Sequence, residues 1–168
     1  MTASSLKARH PVKGLLRFGV RLPLWLYRAH LGWLLGERFL RLTHVGRKSG
    51  RPHQTVLEVV DHDRATDSYI VTSGWGEKSD WFQNVLKTPQ VAIDVGRRRL
   101  NVTAEHLSID EAEQWLFNYA QAHPRTFQSL AKFMTSETLG TTREECRRVA
   151  EAVPVVAFRP SRGSADSE

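Results

Sequence analysis

Five runs between residues 38 and 107 are so rich in β-branched and aromatic residues, and so regularly broken, that they predict strands rather than helices. They read RFLRLTHV (38–45), QTVLEVVDH (54–62), SYIVTSG (68–74), QVAIDV (90–95) and RRLNVTAEHL (98–107), with Gly, Pro or Asp-rich turns between them. The last two flank Gly96-Arg97, a hairpin signal that sets Val91, Ile93 and Val95 in alternation against Leu100, Val102 and Ala104. Strands in this arrangement form an antiparallel meander or a small barrel. VPVVAF (153–158) closes the set as a last strand.

Helices are expected around this sheet. Ser79 stands where it would N-cap a short helix, DWFQNVLK, which Pro89 ends. SIDE (108–111) is a capping box opening a helix to about Ala122, with Trp115, Leu116 and Tyr119 as its buried stripe. A second box, Thr142 to Glu145, opens a helix through Glu151. Residues 10–36 form one or two amphipathic helices kinked at Pro23. Arg9, Lys13, Arg17, Arg21 and Arg28 lie on one stripe, opposite Leu15, Phe18, Leu22, Trp25 and Leu26. The expected organisation is a helical segment over 1–36, one barrel domain over 37–160 and a flexible tail over 161–168.

The chain has 168 residues and a formal charge of +6, and that charge is unevenly placed. The first 50 residues hold ten Lys/Arg and one acid, Glu37, a local +9 that leaves the remainder at −3. A phosphorylated ligand or an anionic membrane surface suits this end. No recognition-helix pattern or basic-aromatic interleaving points to nucleic acid. A single cysteine, Cys146, excludes an internal disulfide, and an inert thiol is expected there. With no signal-peptide core and no run of about 18 apolar residues, the expected location is cytoplasmic, with contact at the inner face of the cell membrane as an option.

The chemistry concentrates in two loops. In GRKSGRPHQT (46–55), Gly46 and Gly50 allow backbone N–H groups to turn toward an anion, while Arg47, Lys48 and Arg51 add charge and Ser49 a hydroxyl. SGWGEKSDWFQN (73–84) repeats the theme, with Lys78 and Ser79 at a helix N-terminus and Trp75 free to stack on a planar ring. Neither loop is a Walker or dinucleotide fingerprint. H-E-x-x-H and G-x-S-x-G are absent, and the seven histidines lack metal-ligand spacing, so no metal is expected and each histidine reads as surface or satisfied core. Two anion cradles without acid–base machinery suit a cofactor that carries the reaction itself.

LTHVGRKSGRPHQT, together with YIVTSGWGEKSDWFQNVLKTPQVAIDVGRRRLNVTAEHLSIDEAE, resembles the deazaflavin (F420)-dependent nitroreductase and quinone reductase family across roughly residues 40–115. The resemblance implies an α+β split β-barrel of the FMN-binding-like kind, using reduced 8-hydroxy-5-deazaflavin, coenzyme F420, as hydride donor to a small-molecule acceptor such as a quinone or nitroaromatic. It places the coenzyme phosphate and polyglutamate tail near Arg47, Lys48, Ser49 and His53, with Lys78 and Ser79 holding them from the second loop. Gly74, Trp75 and Gly76 would run along the ring, supported by Trp81 and Asn84. His53 stands where family members commonly carry Arg, and Trp75 replaces a smaller residue. The acceptor would lie between the N-terminal segment and residues 118–134, lined by Tyr119, Phe127, Phe133 and Met134. His123 is the one candidate for assisting protonation, and no side chain is an obligatory catalyst. FMN on the same barrel is the alternative cofactor, a non-catalytic coenzyme-binding or peripheral-membrane role is the alternative function, and a homodimer is expected from the fold.

Overall fold

The computed structural model describes residues 36–161. Apart from Gly36, the amphipathic segment expected over 10–36 lies outside the described residues, as does the tail from 162. Six strands, β1 (Phe39–Val45), β2 (Pro52–Asp63), β3 (Ser68–Thr72), β4 (Gln90–Val95), β5 (Arg98–His106) and β6 (Val155–Pro160), close into an antiparallel barrel of order β1-β2-β3-β6-β5-β4. Closure comes from β1, which pairs with β2 on one side and β4 on the other. None of these six strands is left with an open edge. The β4–β5 hairpin has the expected register, Val91 opposite Val102 and Ile93 opposite Leu100, and Gly96 turns it at φ 57°.

Among the described residues four helices accompany the barrel: α1 (Asp80–Lys87), α2 (Ile109–Ala122), α3 (Pro124–Thr135) and α4 (Arg143–Ala152). The first plugs one end, placing Trp81, Phe82 and Val85 against Leu40, Leu42, Val71, Ile93 and Phe158 in the barrel interior. The other three form a separate apolar layer with Ile70, Val155 and Ala157. β3 and β6 are therefore buried on both faces, Tyr69, Val71, Val156 and Phe158 inward and Ile70, Val155 and Ala157 toward the helices. This explains why YIV and VVAF are continuous apolar runs while β4 alternates.

Both capping boxes form: Glu111 N–H donates to Ser108 Oγ at 3.3 Å, and Ser108 N–H to Glu111 Oε2 at 3.0 Å. Glu145 repeats the pair with Thr142, and its other oxygen accepts Gly140 N–H at 2.7 Å. Two expectations need correction. The buried stripe of α2 is Ala112, Leu116 and Ala120, with Trp115 and Tyr119 only partly buried at its margins, because small residues let α2 approach Cys146, Val149 and Ala150 of α4. The helix α3 was not anticipated. His123 both ends α2 and begins α3, with Pro124 at a first-turn position that tolerates its missing N–H.

Candidate functional site

A cleft of about 530 Å³ opens between the β1–β2 turn and the start of α1. Strand alternation carries Leu40, Leu42 and His44 along the interior face of β1, so His44 emerges at the barrel end as the cleft floor, 5% exposed. Directly across the ladder stands His53, its ring 6.0 Å away.

The turn between β1 and β2 is wired by its own backbone. Gly46 N–H donates to Arg51 O and Gly50 N–H to Gly46 O, each at 2.8 Å. The two glycines serve different ends. Gly50 has φ 65°, where an L side chain is strained, whereas a Cβ on Gly46 would fall 2.5 Å from Ser49 Oγ and 2.7 Å from His53 Nε2. Ser49 Oγ accepts Arg51 N–H at 3.2 Å and lies 3.3 Å from His53 Nε2.

Arg47 fastens this turn to α1. Its backbone N–H and its Nη1 both donate to Asn84 Oδ1, at 2.9 and 3.1 Å, and Nη1 also meets Asp80 Oδ1 at 3.0 Å. Lys87 Nζ donates to Arg47 O at 3.0 Å. Asn84, 4% exposed, completes the junction by donating Nδ2–H to His44 Nδ1 at 3.0 Å. Burial, with help from His53, pushes the His44 pKa down to about 4, and Asp80 offsets only part of this.

The second loop closes on itself as well. Gly76, at φ 75°, donates its N–H to Ser73 O at 2.8 Å. The hydroxyls of Ser73 and Ser79 lie 2.5 Å apart, and both lie within bonding distance of Gly76 O, at 2.7 and 3.0 Å. Ser79 holds the N-cap position of α1, yet its side chain makes no capping bond. The N–H groups of the first turn thus face the cleft edge without a side-chain cap, a setting that favours anions. Trp75, 54% exposed, stands over the cleft. Among the described residues neither Lys48 nor Lys78 is ion-paired.

Nine of the residues singled out by sequence line this one cleft: Gly46, Arg47, Lys48, Ser49, His53, Trp75, Ser79, Trp81 and Asn84. Gly74, Gly76 and Lys78 belong to the adjoining loop without lining it. His123 is exposed at the α2–α3 junction, beside Tyr119 and outside the lining. His44, Gln54, Thr55 and Asp80 complete the wall and were not anticipated. The period-2 pattern of β1, extended one step beyond Leu42, was the signal that could have placed His44 inward.

Of the expected acceptor wall, Phe127 is fully buried in the helical layer and cannot face a ligand, while Tyr119 and Met134 pack partly against that layer. Phe133 is 63% exposed, and a Cβ on Gly74 would lie 3.6 Å from its ring. Cys146 is buried, and burial, with the charges of Glu145 and Glu113, pushes its thiol up to about 11, while Arg147 and Arg148 pair with Asp110, Glu113 and Glu137. It is an inert thiol.

A model of the family described as F420H(2)-dependent quinone reductase matches residues 20–140. Among solved structures, an F420-H2 dependent reductase (FDR-A) is similar at 22% identity and TM-score 0.51, over 74% of this chain and 96% of its own. A protein of unknown function from Agrobacterium tumefaciens is similar at 14% identity and TM-score 0.52, over 82% of this chain and 55% of its own. These two likenesses bear on the fold and agree with an α+β split barrel.

Proposed function

The chain belongs to the F420H(2)-dependent quinone reductase family and is an F420-dependent oxidoreductase; from that premise we propose that the cleft between its two glycine loops binds reduced F420 beside a quinone or similar planar acceptor. The observation that carries the reading is the meeting, at one cleft, of an uncapped helix N-terminus, the cations Lys48 and Lys78 on its flanking loops, which have no ion partner among the described residues, and an exposed tryptophan. That donor set fits a coenzyme with a phosphate, a carboxylate tail and a flat ring. The volume suits one ring system, and the family's dependence on F420 favours it over FMN.

Reduced F420, when bound, supplies the hydride. The chain's own residues bind and orient. Lys48 and the first-turn N–H groups of α1 would hold the phosphate, and Lys78 the carboxylates of the tail. Trp75 would cover the ring and exclude water, and Phe133 beside Gly74 would offer the acceptor an apolar surface. Arg47 and Asn84 keep the loop and the helix in register. The basic stripe over residues 9–28 is read as a contact for anionic lipid, from which a lipophilic quinone would be drawn.

Fluorescence titration with oxidised F420 tests the reading. Saturable binding is expected in the wild type, with tighter binding at low salt because exposed charges are screened over about 8–10 Å at physiological ionic strength. Absence of saturable binding at any ionic strength would overturn it. For the basic stripe, co-sedimentation with anionic vesicles should require residues 1–30, and equal sedimentation without them would remove the lipid contact.

A further inference from the structure

We propose that His44 touches the coenzyme, donating its Nε2–H from the cleft floor to an anionic oxygen of the ligand. This rests on the F420 reading above and deepens it by naming a contact outside the two basic loops.

The orientation follows from the chemistry of the neighbours. Asn84 Oδ1 receives two bonds from Arg47, a residue with donors only on both its backbone N–H and its guanidinium, so the amide cannot be turned around. The Asn84 NH2 is therefore the group that meets His44 Nδ1 at 3.0 Å. A nitrogen that accepts cannot carry the proton, so the ring is neutral with its hydrogen on Nε2. Burial keeps it so. The ionisable groups around it are the His53 ring across the ladder, Asp80 on α1 and the Arg47 guanidinium held by Asn84.

Among the described residues Nε2–H has no acceptor, although the ring is almost wholly buried and lines the cleft. Nε2 itself opens to the cleft rather than being sealed from it, so solvent reaches this N–H in the free protein and a ligand oxygen could take the water's place. The site also gains discrimination. Around it Lys48 and the helix N-terminus attract any anion, whereas a fixed neutral N–H rewards only a ligand whose oxygen reaches the floor between the Gly46 turn and the first turn of α1. The neutral ring supplies this bond without the desolvation cost that a buried cation would carry.

The test compares His44→Phe, which removes both ring bonds, with His44→Gln, which loses the bond to Asn84 but can present an amide N–H where Nε2 stood. F420 binding is read by fluorescence titration. His44→Phe is expected to weaken binding about tenfold or more, as for a lost hydrogen bond to a charged acceptor, and His44→Gln to recover to within about threefold of wild type. A purely structural His44 would lower both variants equally, and that result would overturn the proposal. Repeating the titration with the ring–ribityl fragment that lacks the phosphate identifies the oxygen: loss confined to whole F420 assigns the phosphate, and loss with both assigns the ring.

The second readout is the ¹⁵N spectrum of the imidazoles in wild-type protein, which needs no variant to fold. Free protein should show the Nε2–H tautomer of His44, and F420 should shift that nitrogen. An unmoved Nε2 on saturation would overturn the contact while leaving the F420 reading intact. Failure of the wild type to bind F420 would instead remove the coenzyme reading, and this contact with it.

Discussion

The two glycine loops share glycines, serine and a lysine, and their side chains are wired differently. Between Gly46 and Arg51 the turn's own backbone bonds are joined by side-chain bonds to another element, through Arg47 to Asn84, Asp80 and Lys87 on α1. Between Ser73 and Ser79 the side-chain lock is internal, two hydroxyls gathered on the Gly76 carbonyl, while Gln83 of α1 donates to Glu77 O and Ser73 N–H to Pro154 O. In both, the polar residues that look most like ligands in the sequence are already engaged in building the loop. On the proposed reading, a ligand would meet what the wiring among the described residues leaves over: Lys48, Lys78, the first-turn N–H groups of α1 and the floor of the cleft at His44.

The largest effect should therefore come from cutting the external lock. Asn84→Ala removes the acceptor of two part-buried Arg47 bonds and the donor of the buried bond to His44, and should cost about 2–4 kcal/mol in denaturant unfolding, since each orphaned group costs roughly 1–3 kcal/mol. Hydrogen exchange should rise at residues 46–51 and stay unchanged at 73–79. Equal loosening of both loops would show that they are not separately wired.

Acid should distinguish the loops in the same way. The folded pKa of His44, about 4, lies below the ordinary value of 6.5, so the unfolded chain takes up more protons between these values. Its contribution is fully present above pH 6.5 and is lost as pH falls toward 4, by up to about 3 kcal/mol. Exchange at pH 5 should thus increase at 46–51 before 73–79, whose lock contains hydroxyls and a carbonyl but nothing that titrates.

Removing the leftover cations should change binding rather than folding. Lys48→Ala and Lys78→Ala are each expected to weaken F420 affinity by about 1.5–3 kcal/mol, the range for a charge-assisted hydrogen bond, with an unchanged unfolding midpoint. Unaltered affinity in both would contradict the assignment of ligand-holding roles to the unengaged groups.

Smaller still, Ser79→Ala should lower stability by only about 0.5–1.5 kcal/mol, because Ser73 still satisfies the Gly76 carbonyl, and should leave F420 affinity within about threefold. A tenfold loss of affinity without loss of stability would restore Ser79 as a direct ligand. The smallest effects are expected at His123 and Cys146, where alanine should leave turnover intact, one lying outside the cleft lining and the other buried in α4.

The same contrast explains what could be read from the sequence. Local signals were legible where a side chain acts on its own neighbourhood: the Ser108 and Thr142 boxes, the Gly96 hairpin, and the two glycine loops as loops. Hidden were the features decided by distant partners. Arg47 reads as a ligand until Asn84, 37 positions along, claims it. His44 reads as an ordinary histidine until the closed barrel turns it inward, and Trp115 reads as core until α4 packs closely enough to prefer Ala112 and Ala120. The helix α3 escaped because one residue, His123, serves as the end of one helix and the start of the next, leaving no turn between them.

The central claim is that this cleft presents reduced F420 to a planar acceptor. Single-turnover oxidation of the coenzyme, deuterated at the ring carbon that donates hydride and bound to the wild-type protein, tests it with menadione and with longer-chain quinones. The account predicts oxidation at saturating acceptor with a primary isotope effect on the chemical step, and a loss of F420 affinity in Lys48→Ala that added coenzyme restores. Bound F420 that no quinone oxidises would contradict it.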